Sequence, residues 1–562
     1  MSAMRMTPAE RGTMVAVVLG SGVVFLDSAV VNLALPQIAR ELPSSLLAPL
    51  EAQSYVVNGY FVTLSALLIL AGALTDYHGR RRLFVLGLAA FALTSLLCAL
   101  APTMELLIAF RVLQGAAGAL VVPGSLAIIT STFTGEQQGR AFGLWASASA
   151  LTTILGPFVG GVLVHAFSWR LAFFVNLPIL AVAVWAAMRY VAESRDEDAG
   201  RSLDWLGSVL AVLAVAGLAF GTIRGQQSEW QGAGPFLSLA VGVAATVALP
   251  IHLLRSTHPL VPPALFRSRN FTVTNASTFL VYGALYVALT FMGLFLIGTL
   301  GYNEPAAGIA MLPADVLLVL FSTRAGRLAA RYGSRLFLAL GPAVMAAGLL
   351  WLTRVPSTST PWDLTTATWG SVLPPTDYLA HLFPGLVIFG LGLVLLVAPL
   401  TAAVMTSVPQ NNAGVASAVN NAISRVGAPL VTGAIFVVVV SGFYGTLEER
   451  LPQADVSAAS FRRDVAPFTT PAGDARQTVV QAATDASTDA FHVAMLVAAG
   501  LMALGAVVNG FGIVSRRESP EHLGPEDTAS TRDRRAGLAP ARSCLVYEST
   551  GPVAVEPPPQ QR

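Results

Sequence analysis

The chain has no lysine: its 33 cationic residues are all arginine. A phosphate-loop lysine, a Schiff-base lysine and a lysine general base are therefore excluded, and with them an ATP-driven pump built on this chain alone. Charge of either sign is scarce. It amounts to 11% of residues, against about 25% in an ordinary soluble domain, while hydrophobic residues reach 54%, so a large water-soluble globule is excluded. The two cysteines, Cys98 in an apolar run and Cys544 near the C-terminal end, provide neither a disulfide framework nor a metal spacing. Seven histidines are scattered, and neither HExxH nor GxSxG occurs. The expectation is a protein that is not an enzyme, with no metal, no cofactor and no nucleic-acid partner, whose work is movement rather than a covalent reaction.

What the chain does have is long apolar runs. About 20 apolar residues match the ~30 Å hydrocarbon core of a bilayer, where backbone groups find partners only within a helix or a closed barrel. Runs this long and uninterrupted predict an all-α membrane protein with fourteen spans, near 13–35, 54–74, 83–101, 105–130, 141–165, 170–189, 204–223, 234–254, 271–300, 304–324, 334–353, 379–405, 418–442 and 491–514. No small-residue cleavage site follows the first span, which is expected to be a retained helix. Threading the chain this way gathers most arginines on the side shared by both termini, so the termini are expected in the cytoplasm. Two longer polar segments, 354–378 and 443–490, are expected to face outward, and the stretch 515–562, with its mixed charges and "EPPPQQR", to be a disordered cytoplasmic tail.

A weak internal repeat follows from laying "GALTDYHGRRRL" at Gly72 against "GRLAARYGSRLF" at Gly326. Glycine, small residue, glycine and arginine recur in register, but Ala330 stands where the first copy has Asp76. Equivalent loops after the second helix of two six-helix units divide the chain into a cytoplasmic N-terminus 1–12, a first half 13–189, a linker with inserted helices 7 and 8 at 190–254, and a second half 255–514.

Two acids fall inside apolar runs. Asp27 lies ~14 residues into the first span, about 21 Å along a helix rising 1.5 Å per residue, where a charge costs roughly 2.5–3.5 kcal/mol or more. Such an acid binds a proton or a cationic substrate in alternation, or else is a structural group paired to an arginine or to backbone donors. Asp315, two residues after Pro313, is either a substrate contact or second protonation site, or structural. Arg111 with Gln114 one turn on needs several acceptors if buried, and serves as helix-pair glue or as something more. Arg425 is expected to snorkel to the interface. Asn32, Asn58 and Gln114 are polar candidates for a cavity wall, and Gly156 and Gly160 have the spacing of closely packed membrane helices, with Pro157 between them.

Together these segments resemble a known family. Gly72, Asp76, Gly79, Arg80 and Arg82 resemble motif A of the major facilitator superfamily, "RVLQGAAGA" from Arg111 its motif B, and "GPFVGGVL", with Gly156, Pro157, Gly160 and Gly161, its antiporter motif C. "LDSAVVNLALP" from Leu26 and "SWRLAFFVNLP" from Ser168 are similar to the fourteen-helix drug:proton antiporters of the QacA and EmrB type, although Tyr55 and Thr152 depart from that group's pattern. The resemblance implies the major facilitator fold, two six-helix halves plus two inserted helices. It implies that Arg111 takes part in proton coupling, where Asp27 is expected from its burial to load the proton, and that the motif A residues form a cytoplasmic latch between the halves. It also implies a plasma-membrane antiporter that takes protons inward and an amphipathic drug or natural product outward; the chain is expected to be a monomer, and the supply of acids suggests a cationic compound, with a neutral or anionic natural product left open. Two rivals are a proton-coupled importer on the same fold, against which motif C argues, and a non-transporting membrane receptor, for which large soluble domains would be expected.

Overall fold

The computed structural model describes residues 6–44, 49–195, 204–227, 231–364, 372–469 and 476–514. The expected disordered tail therefore lies outside the described residues. Among those described there are helices and no strands. They are α1 (Pro8–Glu41), α2 (Pro49–His78), α3 (Arg80–Ala99), α4 (Met104–Thr132), α5 (Gly135–Ala166), α6 (Leu171–Phe174), α7 (Asn176–Tyr190), α8 (Trp205–Gln227), α9 (Gly234–Arg255) and α10 (Arg269–Leu294). There follow α11 (Glu304–Tyr332), α12 (Ser334–Leu352), α13 (Phe383–Thr406), α14 (Ala413–Arg450), α15 (Ala459–Asp464) and α16 (Gln477–Gly512). Thirteen segments of the described chain are long and apolar enough to cross a bilayer, α6 and α7 counting as one. The 32-residue α5 is a further long helix, so a helix stands at each of the fourteen expected spans.

Helix ends are set by local chemistry as well as by lipid. Thr7 accepts from the Glu10 N–H and Glu10 from the Thr7 N–H, a reciprocal cap that starts α1 five residues before its apolar run. Helices α1 to α7 pack among themselves, as do α10 to α16. The α8–α9 pair is closed by a glycine crossing, where a Cβ on Gly217 would lie 2.7 Å from the Gly242 Cα. It leans through α8 on α2 and α14, one helix from each group. Its α9 leaves Leu237 and Leu254 67% and 76% exposed, as a lipid-facing helix does.

The polar segment expected at 443–490 is shorter than the sequence suggests. Helix α14 continues to Arg450 and α16 begins at Gln477. The continuation holds because Phe443, Leu447, Ala483 and Ala486 are buried together, and Arg450 ion-pairs with Asp485 and, at 3.3 Å, with Asp489. At 354–378, Val355 and Trp362 are buried against the second group, and Asn303 donates to Asp363 at 2.6 Å.

Asp204 caps α8 just before its apolar run and ties the hairpin to the next segment. Its carboxylate accepts from the Gly207 N–H at 2.8 Å and the Leu260 N–H at 3.0 Å, and meets His252 Nε2 at 2.8 Å. Burial opposes ionisation, but these hydrogen bonds outweigh it and hold the carboxyl below its ordinary range. A depressed folded-state value gives stability that is present above the unfolded value of about 3.9 and lost as pH falls through the folded one. Asp204→Ala is expected to cost about 1–2 kcal/mol at pH 7. In thermal melts of the solubilised protein the difference should shrink below about pH 4; a pH-independent difference would deny the carboxylate its role.

Candidate functional site

Asp27 sits midway along α1 with no solvent exposure. Its Oδ2 accepts from Arg111 Nη1 at 2.5 Å, and its Oδ1 from Asn176 Nδ2 at 2.8 Å and Gln114 Nε2 at 3.2 Å. Arg111, 1% exposed, also donates to Gln114 Oε1 at 2.8 Å and to the Val56 carbonyl at 3.3 Å, and lies 4.2 Å above the Tyr60 ring. A buried pair is tolerated only when its remaining donors and acceptors are met, and this one is met from α1, α2, α4 and α7. The sequence-derived Asp27, Arg111 and Gln114 thus meet in one cluster within the first helix group. Asn176 and Ser95, which accepts from Asn176 at 3.0 Å, were not singled out from sequence; the signal available was one more amide in an apolar run.

Motif C is the wall behind Asp27. A Cβ on Gly156 would fall 2.5 Å from the Ala29 Cβ, and one on Gly160 3.1 Å from the Val30 Cα, so α5 lies directly against the turns of α1 around Asp27. The absence of side chains at these glycines is what allows that approach. Pro157 and Gly161 belong to the same stretch of α5, but the burial of neither is described.

Motif A joins the two helix groups. A Cβ on Gly72 would lie 2.5 Å from both the Gly414 carbonyl oxygen and the Ala418 Cβ of α14. One turn on, Asp76 Oδ2 accepts from the Val415 N–H at 2.9 Å, at the positive first turn of α14, and Oδ1 pairs with Arg80 at 3.0 Å. Arg80 also donates to the Gln410 carbonyl ahead of α14, while its own N–H binds the Ser194 carbonyl. Gly79 ends α2 with φ +110°, where a side chain would be strained, and its Cβ would meet Glu193 Oε1 at 2.7 Å. Arg82 turns elsewhere: its side chain is 74% exposed and lies 3.7 Å from Glu193, within the first group.

The second motif copy makes a matching contact without an acid. Gly326 of α11 meets Gly139 of α5 backbone to backbone, Ala330 lies where a Gly139 Cβ would project at 2.7 Å, and Arg327 reaches Glu136 at 3.9 Å. Two glycine crossings, α2 on α14 and α5 on α11, therefore hold the groups together. Asp315 lies two turns before Ser322 and Thr323, on the α11 face that meets Gly143, half-buried and without a cation among the described residues. Asn58 is half-buried on α2 and Asn32 exposed on α1; neither joins the Asp27 cluster. Arg425 stands twelve residues into α14, half-buried. Between the groups lies a cavity of about 60 Å³, walled by Leu126 and Trp145 on one side and by Thr401, Ser417, Asn420 and Asn421 on the other, none of them foreseen.

The Major Facilitator Superfamily profile matches residues 17–432. The chain is 31% identical over 446 residues to the multidrug resistance protein Stp of Mycobacterium tuberculosis, covering 79% of this chain and 78% of that one. It is 29% identical over 536 residues to the tetracenomycin C resistance and export protein of Streptomyces glaucescens, covering 93% and 95%. It is 34% identical over 419 residues to the methylenomycin A resistance protein of Streptomyces coelicolor, covering 74% and 83%. Among solved structures, the human organic anion transporter MFSD10 superposes with a TM-score of 0.54 at 14% identity, over 90% of this chain and all of that one. The proton:xylose symporter XylE does so with 0.54 at 13%, over 88% and 94%. At such identities the likeness shows the fold alone.

Proposed function

The chain belongs to the major facilitator superfamily, and from that premise we propose that it exports amphipathic drugs or antibiotics across the plasma membrane in exchange for protons. The observation that carries this is the fully buried Asp27–Arg111–Gln114–Asn176 cluster pressed against the glycines of α5. A buried carboxylate with one charge partner is the group that protonation changes most, because neutralising it releases Arg111. Asn176 offers the other half of the exchange. Its Oδ1 is buried with no donor among the described residues, so a turn of the amide gives a protonated Asp27 an acceptor. The relatives named for multidrug resistance and for resistance and export support outward movement of a drug.

In this reading the first six-helix half and the second rock about the cavity between them, with the termini and the Asp76 latch on the cytoplasmic side. The α2–α14 and α5–α11 crossings close that side while the other is open, and the chain works as a monomer. The cationic preference expected from sequence rests on Asp315 alone, since Asp27 is already neutralised by Arg111. The test is flux in inside-out vesicles. An inwardly acidic gradient should drive accumulation of a fluorescent amphipathic drug, and an uncoupler should abolish it. Accumulation driven instead by an outwardly acidic gradient would favour the importer and sink the export reading.

A further inference from the structure

We propose that the cavity between Trp145 and α14 receives the carbonyl and hydroxyl oxygens of a hydroxy-carbonyl compound, neutral or anionic, in preference to a cation. The proposal rests on the efflux reading for its setting and on the cavity's own walls for its chemistry. At about 60 Å³ the space takes a carbonyl and a neighbouring hydroxyl, not a whole drug. On the α5 wall, Trp145 is 8% exposed, and its indole N–H is buried with no acceptor among the described residues. A buried donor left unmet is costly; sealed from the cavity in this state, it meets a ligand oxygen once the cavity walls part. Phe25 of α1 packs edge-on against that indole at 6.3 Å, which fixes its orientation two residues from Asp27.

The facing wall supplies the complement. Asn420 spends its amide N–H groups on Asn275 at 3.1 Å and Thr278 at 2.8 Å, and Asn421 donates to the Ser417 carbonyl at 2.9 Å. Their amide oxygens are left to accept from a hydroxyl. Among the described residues, no acid lines the cavity. The nearest charge along α14 is Arg425, next to Ser424, half-buried and without an ion pair among the described residues. An orphaned donor and an unpaired guanidinium attract an electron-rich oxygen and repel a cation. The site also reaches the latch, because Ser417 is two residues past Val415, which Asp76 caps.

The test is equilibrium binding to the purified full chain, with alizarin, a dihydroxyanthraquinone, against tetraphenylphosphonium, a cation without hydrogen-bonding groups. Trp145→Phe keeps an aromatic ring, although a smaller one, and removes the N–H. It should weaken alizarin about tenfold, the scale of one hydrogen bond to a buried group, and leave tetraphenylphosphonium unchanged. Asn421→Asp should weaken alizarin and tighten tetraphenylphosphonium, and it decides the matter by itself if the first variant does not fold. Equal losses for both probes, no loss of alizarin in either variant, or a native chain that does not bind alizarin would overturn the proposal. Selective binding without pH-driven flux would remove the efflux reading and leave this site standing. Flux of tetraphenylphosphonium with no alizarin binding would do the reverse.

Discussion

Asp27→Asn is expected to reduce pH-driven uphill transport to background and, at the same time, to lower folding stability by about 3–5 kcal/mol. The second effect follows from the geometry. Arg111, 1% exposed, keeps its charge, while the group it faces becomes an amide that must also accept from Asn176 and Gln114. One neutral oxygen cannot meet three donors as a carboxylate does. Loss of transport in the single variant is therefore ambiguous, because a destabilised protein also fails to transport.

A partner substitution separates the two causes. Asp27→Asn with Arg111→Gln removes both charges and should recover most of the melting temperature, since no uncompensated charge stays buried. If Asp27 carries the proton, this stable protein still moves no drug uphill, although downhill exchange survives. Asp315→Asn makes the comparison sharper: Asp315 has no cation to abandon among the described residues, so stability should barely change. Uphill flux in the folded double variant would end the carrier assignment for Asp27 and pass it to Asp315.

The contrast between these acids marks how far the sequence could be read. Hydrocarbon thickness is a one-dimensional constraint, so runs of apolar residues placed a helix at every expected span. Helix ends beyond the bilayer were not legible, because α14 and α16 continue on contacts such as Arg450 with Asp485, 35 residues away. Asp27 announced itself by its cost in an apolar run, yet its pairing with Arg111 spans 84 residues and left no periodic trace. Asp76 was readable as an acid facing some helix N-terminus; that the helix is α14, 339 residues on, was not. The separation of Arg80 from Arg82 was within reach. Residues two apart on a helix point about 200° apart, so the two could not both face α14. Among the amides, Asn176 looked no different from Asn32 or Asn58, because only tertiary packing brings it to Asp27.

Gly72→Ala and Asp76→Asn are each expected to slow transport about tenfold or more at normal abundance in the membrane, by different routes. The alanine Cβ would lie 2.5 Å from the Gly414 oxygen and from the Ala418 Cβ, distances that real side chains do not adopt, so α2 and α14 must separate. The asparagine keeps the shape but removes the charge that faces the first turn of α14, an interaction of up to ~2 kcal/mol in a partly buried setting. It also strands Arg80, 3% exposed, beside the Gln410 carbonyl. A shift of about 1.4 kcal/mol between two states changes their ratio tenfold, enough to starve the cycle of its closed form. The checks are transport rate and, with Ser417→Cys in the cavity wall, labelling by an impermeant reagent from the latch side, which should rise in both variants. A segment that served only to orient the chain would behave otherwise, because both variants keep Arg80, Arg81 and Arg82. Normal rates in both would reduce motif A to that role. Slowing by Asp76→Asn alone would mean that α2 and α14 can part at Gly72 without consequence, and that the charge on the helix end, not the glycine crossing, holds this side shut.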